Sequence, residues 1–92
     1  MIQSFKCPET QRLFTGKSAP SFVNIQRVAE RKLAMLHYAI NLEDLRMPPG
    51  NRLEKLSGDR AGQHSIRIND QWRVCFIWRA GEAFEVEITD YH

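Results

Sequence analysis

Gln71-Trp-Arg-Val-Cys-Phe-Ile-Trp-Arg79, a turn at Ala80-Gly81, and Glu82-Ala-Phe-Glu-Val-Glu-Ile-Thr-Asp-Tyr-His92 decide the fold of this 92-residue chain. Both segments are rich in β-branched and aromatic residues, which pack well on a pleated surface. From Val74 to Trp78 the first is apolar on both faces, the pattern of a strand covered on both sides. In the second, Phe84, Val86 and Ile88 alternate with Glu85, Glu87 and Thr89, so a strand over 83–91 should bury one face and wet the other. Upstream, His64-Ser-Ile-Arg-Ile-Asn69 alternates too, with Ile66 and Ile68 opposite Ser65, Arg67 and Asn69, and Asn69-Asp70-Gln71 turns the chain. Residues 72–79 should therefore run between two antiparallel neighbours.

Before this sheet the period changes. Phe22, Ile25, Ala29, Leu33, Leu36 and Ile40 recur every three or four residues, with Val28 and Met35 widening the stripe, so a long helix is expected from Phe22, capped by Ser21 or Asn24. Pro8 opens a shorter helix that buries Leu13 and Phe14 and closes at Gly16. Ile2 to Cys7 suits a first strand. Pro48-Pro49-Gly50 breaks the chain, 51–56 suits a short edge strand, and Ser57 to Gly62 is turn chemistry. The expectation is one α+β domain over 1–92, with an N-terminal strand and two helices packed on a mainly antiparallel, twisted sheet.

At this size folding hides roughly two-thirds of the chain's surface, so the core is small. The net charge of +2 would not by itself point to nucleic acid. Its distribution says more. Residues 46–79 hold Arg46, Arg52, Lys55, Arg60, Arg67, Arg73 and Arg79 against Glu54, Asp59 and Asp70, whereas 80–92 hold four acids and no Lys or Arg. No charged-then-apolar leader opens the chain and no apolar run approaches a membrane span, so the sequence reads as soluble, unexported and cytoplasmic. Cys7 and Cys75 are too few and too far apart for a disulfide framework or a zinc site, and read as reduced packing residues.

Several residues could carry chemistry. Arg73 interrupts the central strand, and an arginine there needs an anion, either Glu85 or Glu87 on the next strand or a substrate phosphate. Asp90-Tyr91-His92 supply an acid, a phenol and an imidazole, the groups that move protons; alternation lets Asp90 and His92 point together. The same residues could equally be a solvated tail. Lys55, Arg60 and Arg67, with His64 beside them, surround a Gly-rich turn and could face phosphate. His37 and His64 are as readily surface or core histidines, Trp72 and Trp78 read as core, and no spacing resembles a metal site.

Gly58-Asp-Arg-Ala-Gly62, Ser65-Ile-Arg-Ile-Asn69, Gln71-Trp-Arg-Val-Cys-Phe76 and the terminal Asp90-Tyr-His92 together resemble the HigB, or plasmid-maintenance killer, branch of the RelE toxin superfamily. The resemblance covers essentially the whole chain. Arg31-Lys-Leu-Ala-Met-Leu36 and Pro48-Pro-Gly-Asn-Arg-Leu53 are similar to the GraT-type chromosomal toxins. The resemblance implies a RelE-like fold and a metal-independent, cofactor-free endoribonuclease that cleaves mRNA in the A site of the 70S ribosome, near 16S rRNA. It also implies a HigA-like helix-turn-helix antitoxin, through which alone the toxin would meet operator DNA, and no membrane. Carried across, Arg73 would stabilise the scissile phosphate, Asp90 and His92 would transfer protons, and Tyr91 would orient or stack a base. One position departs: relatives often carry lysine before Gly-Asp-Arg, where this chain has Ser57, and Lys55 could substitute. Two other readings stay open, a module that binds ribosome or protein without cleaving and a catalytically weakened toxin.

Overall fold

The computed structural model describes residues 1–90. Helix α1 spans Pro8–Phe14, helix α2 Gln26–Tyr38, and four strands follow as β1 (Glu54–Lys55), β2 (His64–Arg67), β3 (Trp72–Arg79) and β4 (Glu82–Asp90). They form one sheet in the order β1-β2-β3-β4 with every neighbour antiparallel. The expected α+β architecture is therefore present. Ala29, Leu33 and Leu36 of α2 and Leu13 of α1 meet Ile66, Val74, Phe76, Val86 and Ile88 in one core, so the helices cover a single face of the sheet. Phe22 caps one end of that core with its ring edge-on to Trp72, centroids 5.5 Å apart. No helix among the described residues is long and apolar enough to cross a membrane.

Four local expectations are corrected. The helix expected from Phe22 is split: Pro20–Ile25 is a 3₁₀ turn in which Phe22 leaves helical geometry, and α2 begins after it without a side-chain cap from Ser21 or Asn24. Glu9 accounts for part of this, because its carboxylate accepts the Ser21 N–H at 2.6 Å. At the other end Ile40 is 76% exposed while Ala39 is buried, so the apolar stripe stops one residue early. The N–H groups of Ile40 and Asn41 both donate to Asp44, 3.0 Å each, which draws the chain off the helix axis and into the 3₁₀ turn Leu42–Arg46.

The N-terminal segment does not form a continuous strand. It runs parallel to the outer edge of β4 and bridges it at Ile2–Ala83 and Phe5–Val86. Between those bridges Glu85 has a left-handed φ of 54° and its N–H turns to Ser4 Oγ at 2.9 Å. The same residue accounts for the fourth correction. A β-bulge opposite Phe76 shifts the β3–β4 register, so that Ile77 faces Phe84 and Trp78 faces Ala83, while Val74 still faces Ile88. Ala83, not Phe84, therefore joins Val86 and Ile88 in the core, and Phe84 lies on the other face beneath the Arg79 guanidinium, 4.4 Å from its ring centre.

Candidate active site

Directly paired residues of an antiparallel sheet project to the same side. The register thus lists what occupies the face the helices leave open: Glu54 beside Ser65, Ser65 beside Cys75, Arg67 beside Arg73, Arg73 beside Thr89 and Cys75 beside Glu87. Arg73 is at the centre of this face, its side chain only 12% exposed. It donates from Nε to Ser65 Oγ at 2.7 Å and from Nη2 to the Arg52 carbonyl at 2.6 Å and the Ser65 carbonyl at 3.3 Å. Arg52 reaches that position in a left-handed conformation, φ 44°, which turns its carbonyl towards the guanidinium.

These acceptors are uncharged. They fix the fork of Arg73 without cancelling its charge, and the carboxylate within 4.0 Å of it among the described residues is Glu54, at 3.9 Å, beyond direct hydrogen bonding. The ion pair expected with Glu85 or Glu87 is absent. Glu85 sits in the bulge, and Glu87 is held by Arg60 at 3.0 Å and Lys6 at 3.9 Å. Arg60 comes from the 3₁₀ turn Gly58–Arg60 and also donates to Gln63 at 3.2 Å. Arg67 pairs with Asp70. Beneath these charges Cys75 is fully buried, and burial pushes its thiol up to about 11, which leaves it a packing residue, as expected.

Of the residues expected to face phosphate, Arg60, Arg67 and Arg73 share the open side. Lys55 and His64 pair with each other and project to the other side. There the His64 ring stacks on Phe76, centroids 6.2 Å apart, and its buried Nδ1 has no hydrogen-bond partner among the described residues. Burial, and secondarily the Lys55 ammonium, lowers its pKa, so His64 is a packed, neutral imidazole at neutral pH rather than a phosphate-binding cation. Lys55 still reaches a shallow groove of about 400 Å³ that it lines with Glu54, Leu56, Ser57, Asp59 and Arg60 at the β1 edge.

Asp90, to which the resemblance assigns proton transfer, is not on the sheet face that carries Arg73. Asp90 pairs with Trp72, a residue packed against the helix-side core, whereas Arg73 pairs with Thr89. The carboxylate of Asp90 therefore leaves the sheet on the helix side, at its rim, and accepts from Gln71 Nε2 at 3.0 Å. The roles expected of Tyr91 and His92 lie outside the described residues. Sequence reasoning passed over Glu54 and Ser65 as site residues. Only the β1–β2 register brings Glu54 to Arg73, and no periodicity in 51–56 announces it. Among the described residues no group of three His, Cys, Asp or Glu side chains could hold a metal ion.

Solved structures share this architecture. The YoeB chain of a heterotetrameric YoeB–YefM toxin–antitoxin complex from Staphylococcus aureus superposes over the whole of this chain and 98% of its own length, with a TM-score of 0.63 and 17% identity. The two chains thus share one fold. At the level of sequence, residues 3–92 match the family model described as the RelE-like toxin of the type II toxin-antitoxin system HigB. Toxin HigB-1 of Vibrio cholerae is 47% identical over 68 residues, spanning 74% of this chain and 72% of that protein. Endoribonuclease HigB of Proteus vulgaris is 33% identical over the full length of both. The chain belongs to the HigB-like family of type II toxins.

Proposed function

We propose that this toxin is a ribosome-dependent endoribonuclease that cuts mRNA in the A site, acts in the cytoplasm, and is held in check by a helix-turn-helix antitoxin of the HigA type. The observation that carries the reading is Arg73, a guanidinium oriented by neutral oxygens on an open sheet face among Arg60, Arg67 and Lys6. A cation held in that way is ready for a phosphate without first giving up an ion pair. The name of the Proteus relative, which aligns end to end with this chain, supports RNA as the substrate.

In this reading the ribose 2′-hydroxyl attacks the adjacent phosphorus and the 5′-oxygen leaves. Arg73 stabilises the charge that builds on the phosphoryl oxygens, Asp90 and His92 serve proton transfer, and Tyr91 orients or stacks the substrate base. Arg60, Arg67 and Lys55 hold flanking phosphates, and Lys55 takes the place of the lysine that Ser57 lacks. The test is single-turnover cleavage on programmed ribosomes. Arg73→Ala should slow cleavage by about 10²–10³-fold, and Arg73→Lys should not restore it, because a single ammonium cannot reproduce the two-pronged contact. Cleavage by Arg73→Ala at the parent rate would remove the arginine from the mechanism.

A further inference from the structure

We propose that Asn51, anchored on Lys32, is the residue that positions the Arg73 guanidinium for catalysis without itself touching RNA. The proposal rests on the endoribonuclease reading above and adds to it the device that aims its arginine. Two residues hold the Arg73 fork from outside its own strand. Ser65 takes Nε from the neighbouring strand β2, and the Arg52 carbonyl takes Nη2 at 2.6 Å. The sheet register sets the first of these. The second belongs to no strand: Arg52 closes the 3₁₀ turn Pro49–Asn51 in a left-handed conformation, φ 44° and ψ 58°, that residues other than glycine seldom adopt. Its neighbours must keep it there, and the one that precedes it is built into the core.

Asn51 is completely buried, and both ends of its amide are used. Oδ1 accepts from Lys32 Nζ of α2 at 2.5 Å. Nδ2 donates to the Leu45 carbonyl at 3.2 Å and the Met47 carbonyl at 3.4 Å, with Met35 Sδ at 3.7 Å. One side chain therefore ties the turn that carries Arg52 both to α2 and to the 3₁₀ turn Leu42–Arg46. The position calls for an acceptor and donors in one small group, which asparagine has and ionised aspartate or leucine lacks. Lys32 is half-buried, and burial, then Arg31 and Arg67, lowers its pKa. This is a costly place for an ammonium, and the partner that holds it there is the Asn51 amide. Glu54 shows what the arrangement prevents: its carboxylate is 3.9 Å from the same Nη2. While the Arg52 carbonyl holds Nη2, the two charges stay out of direct hydrogen bonding. With that carbonyl displaced, Nη2 can close on Glu54, and a phosphate must then break an ion pair to reach the arginine. The Arg52 carbonyl keeps Arg73 available, and Asn51 keeps the carbonyl in place.

The experiment measures single-turnover cleavage on programmed ribosomes for the parent, Lys32→Met and Asn51→Asp, each also combined with Arg73→Ala, with circular dichroism to establish which are folded. Lys32→Met keeps the apolar stem and removes only the donor, so it decides the matter if Asn51→Asp does not fold. Each folded variant should cut about 10- to 100-fold more slowly at saturating ribosomes, as a small misplacement of a catalytic group does. The half-saturating ribosome concentration should stay within about twofold of the parent's. On the Arg73→Ala background neither substitution should slow cleavage further, because a residue that acts only through the arginine has nothing left to act on. In the free toxin, rotation of the Arg73 guanidinium, followed by NMR, should be slow in the parent and fast in Lys32→Met. Folded variants that cut within about threefold of the parent, a loss that persists on the Arg73→Ala background, or equal rotation in parent and variant would overturn the proposal. A parent that binds programmed ribosomes without cutting would overturn the endoribonuclease reading instead, and the NMR comparison would still decide whether Asn51 and Lys32 hold the arginine.

Discussion

Thr10 and Ser65 are both completely buried, and each holds a backbone or side-chain group that the sheet alone would leave unpaired. Ser65 Oγ accepts from Arg73, which fixes the guanidinium on the open face. Thr10 Oγ1 accepts the Ile88 N–H at 3.1 Å and ties α1 to β4. Neither contact has a pattern in the sequence, because each depends on one hydroxyl, Ser65 meeting Arg73 across the β2–β3 pair and Thr10 meeting Ile88 from the other end of the chain. Thr10→Val keeps the volume and removes the acceptor, leaving a buried N–H without a partner. It should lower unfolding free energy by about 1–3 kcal/mol in denaturant titration, with no change in the mid-point of Thr15→Ala, whose hydroxyl is exposed and bonds only within its own helix end. An equal stability of parent and Thr10→Val would show that the Ile88 N–H is satisfied in another way.

Among the elements, the β3–β4 hairpin was legible because alternation survives any error of length: the strand apolar on both faces lies inside the sheet, and its neighbour is half wet. What alternation could not give is the phase between the two. A two-residue turn at Ala80-Gly81 with regular pairing would set Arg73 against Ile88; the bulge adds one residue on β4 and sets it against Thr89. The core could then take Val74 with Ile88 and Trp78 with Ala83, and the open face could keep Arg73. For the same reason Asp90 fell on the side away from Arg73, and the long helix lost Ile40 to a capping carboxylate four residues on. The bulge depends on Glu85 at φ 54°, a conformation that β-branched residues resist. Glu85→Val should therefore destabilise the fold by about 1–2 kcal/mol, and Glu85→Gly should not. A stable Glu85→Val protein would mean that the hairpin can pair without the bulge.

For the whole molecule, the helices and the catalytic reading divide the sheet between them. One face is filled by α1, α2 and the 3₁₀ turn before α2, and the other presents Arg60, Arg67, Arg73 and Glu54 with Cys75 sealed beneath. A chain this short has little surface to spare, and the helix-free sheet face with the groove at its β1 edge is where the oriented arginine lies. The sequence showed this side indirectly, through the basic stretch 46–79, but not its composition: Lys55 and His64 turned to the other side and Glu54 came in. Family membership gives a toxin of a type II system; the open face, with its oriented arginine, is what makes it an RNA-cutting one in this account. The most direct measurement is a transcriptome-wide map of 5′ ends after induction of the parent and of Arg73→Ala without antitoxin. The expected result is new 5′-hydroxyl ends inside translated reading frames with the parent and none with Arg73→Ala; growth arrest by the parent with no new ends would contradict the account.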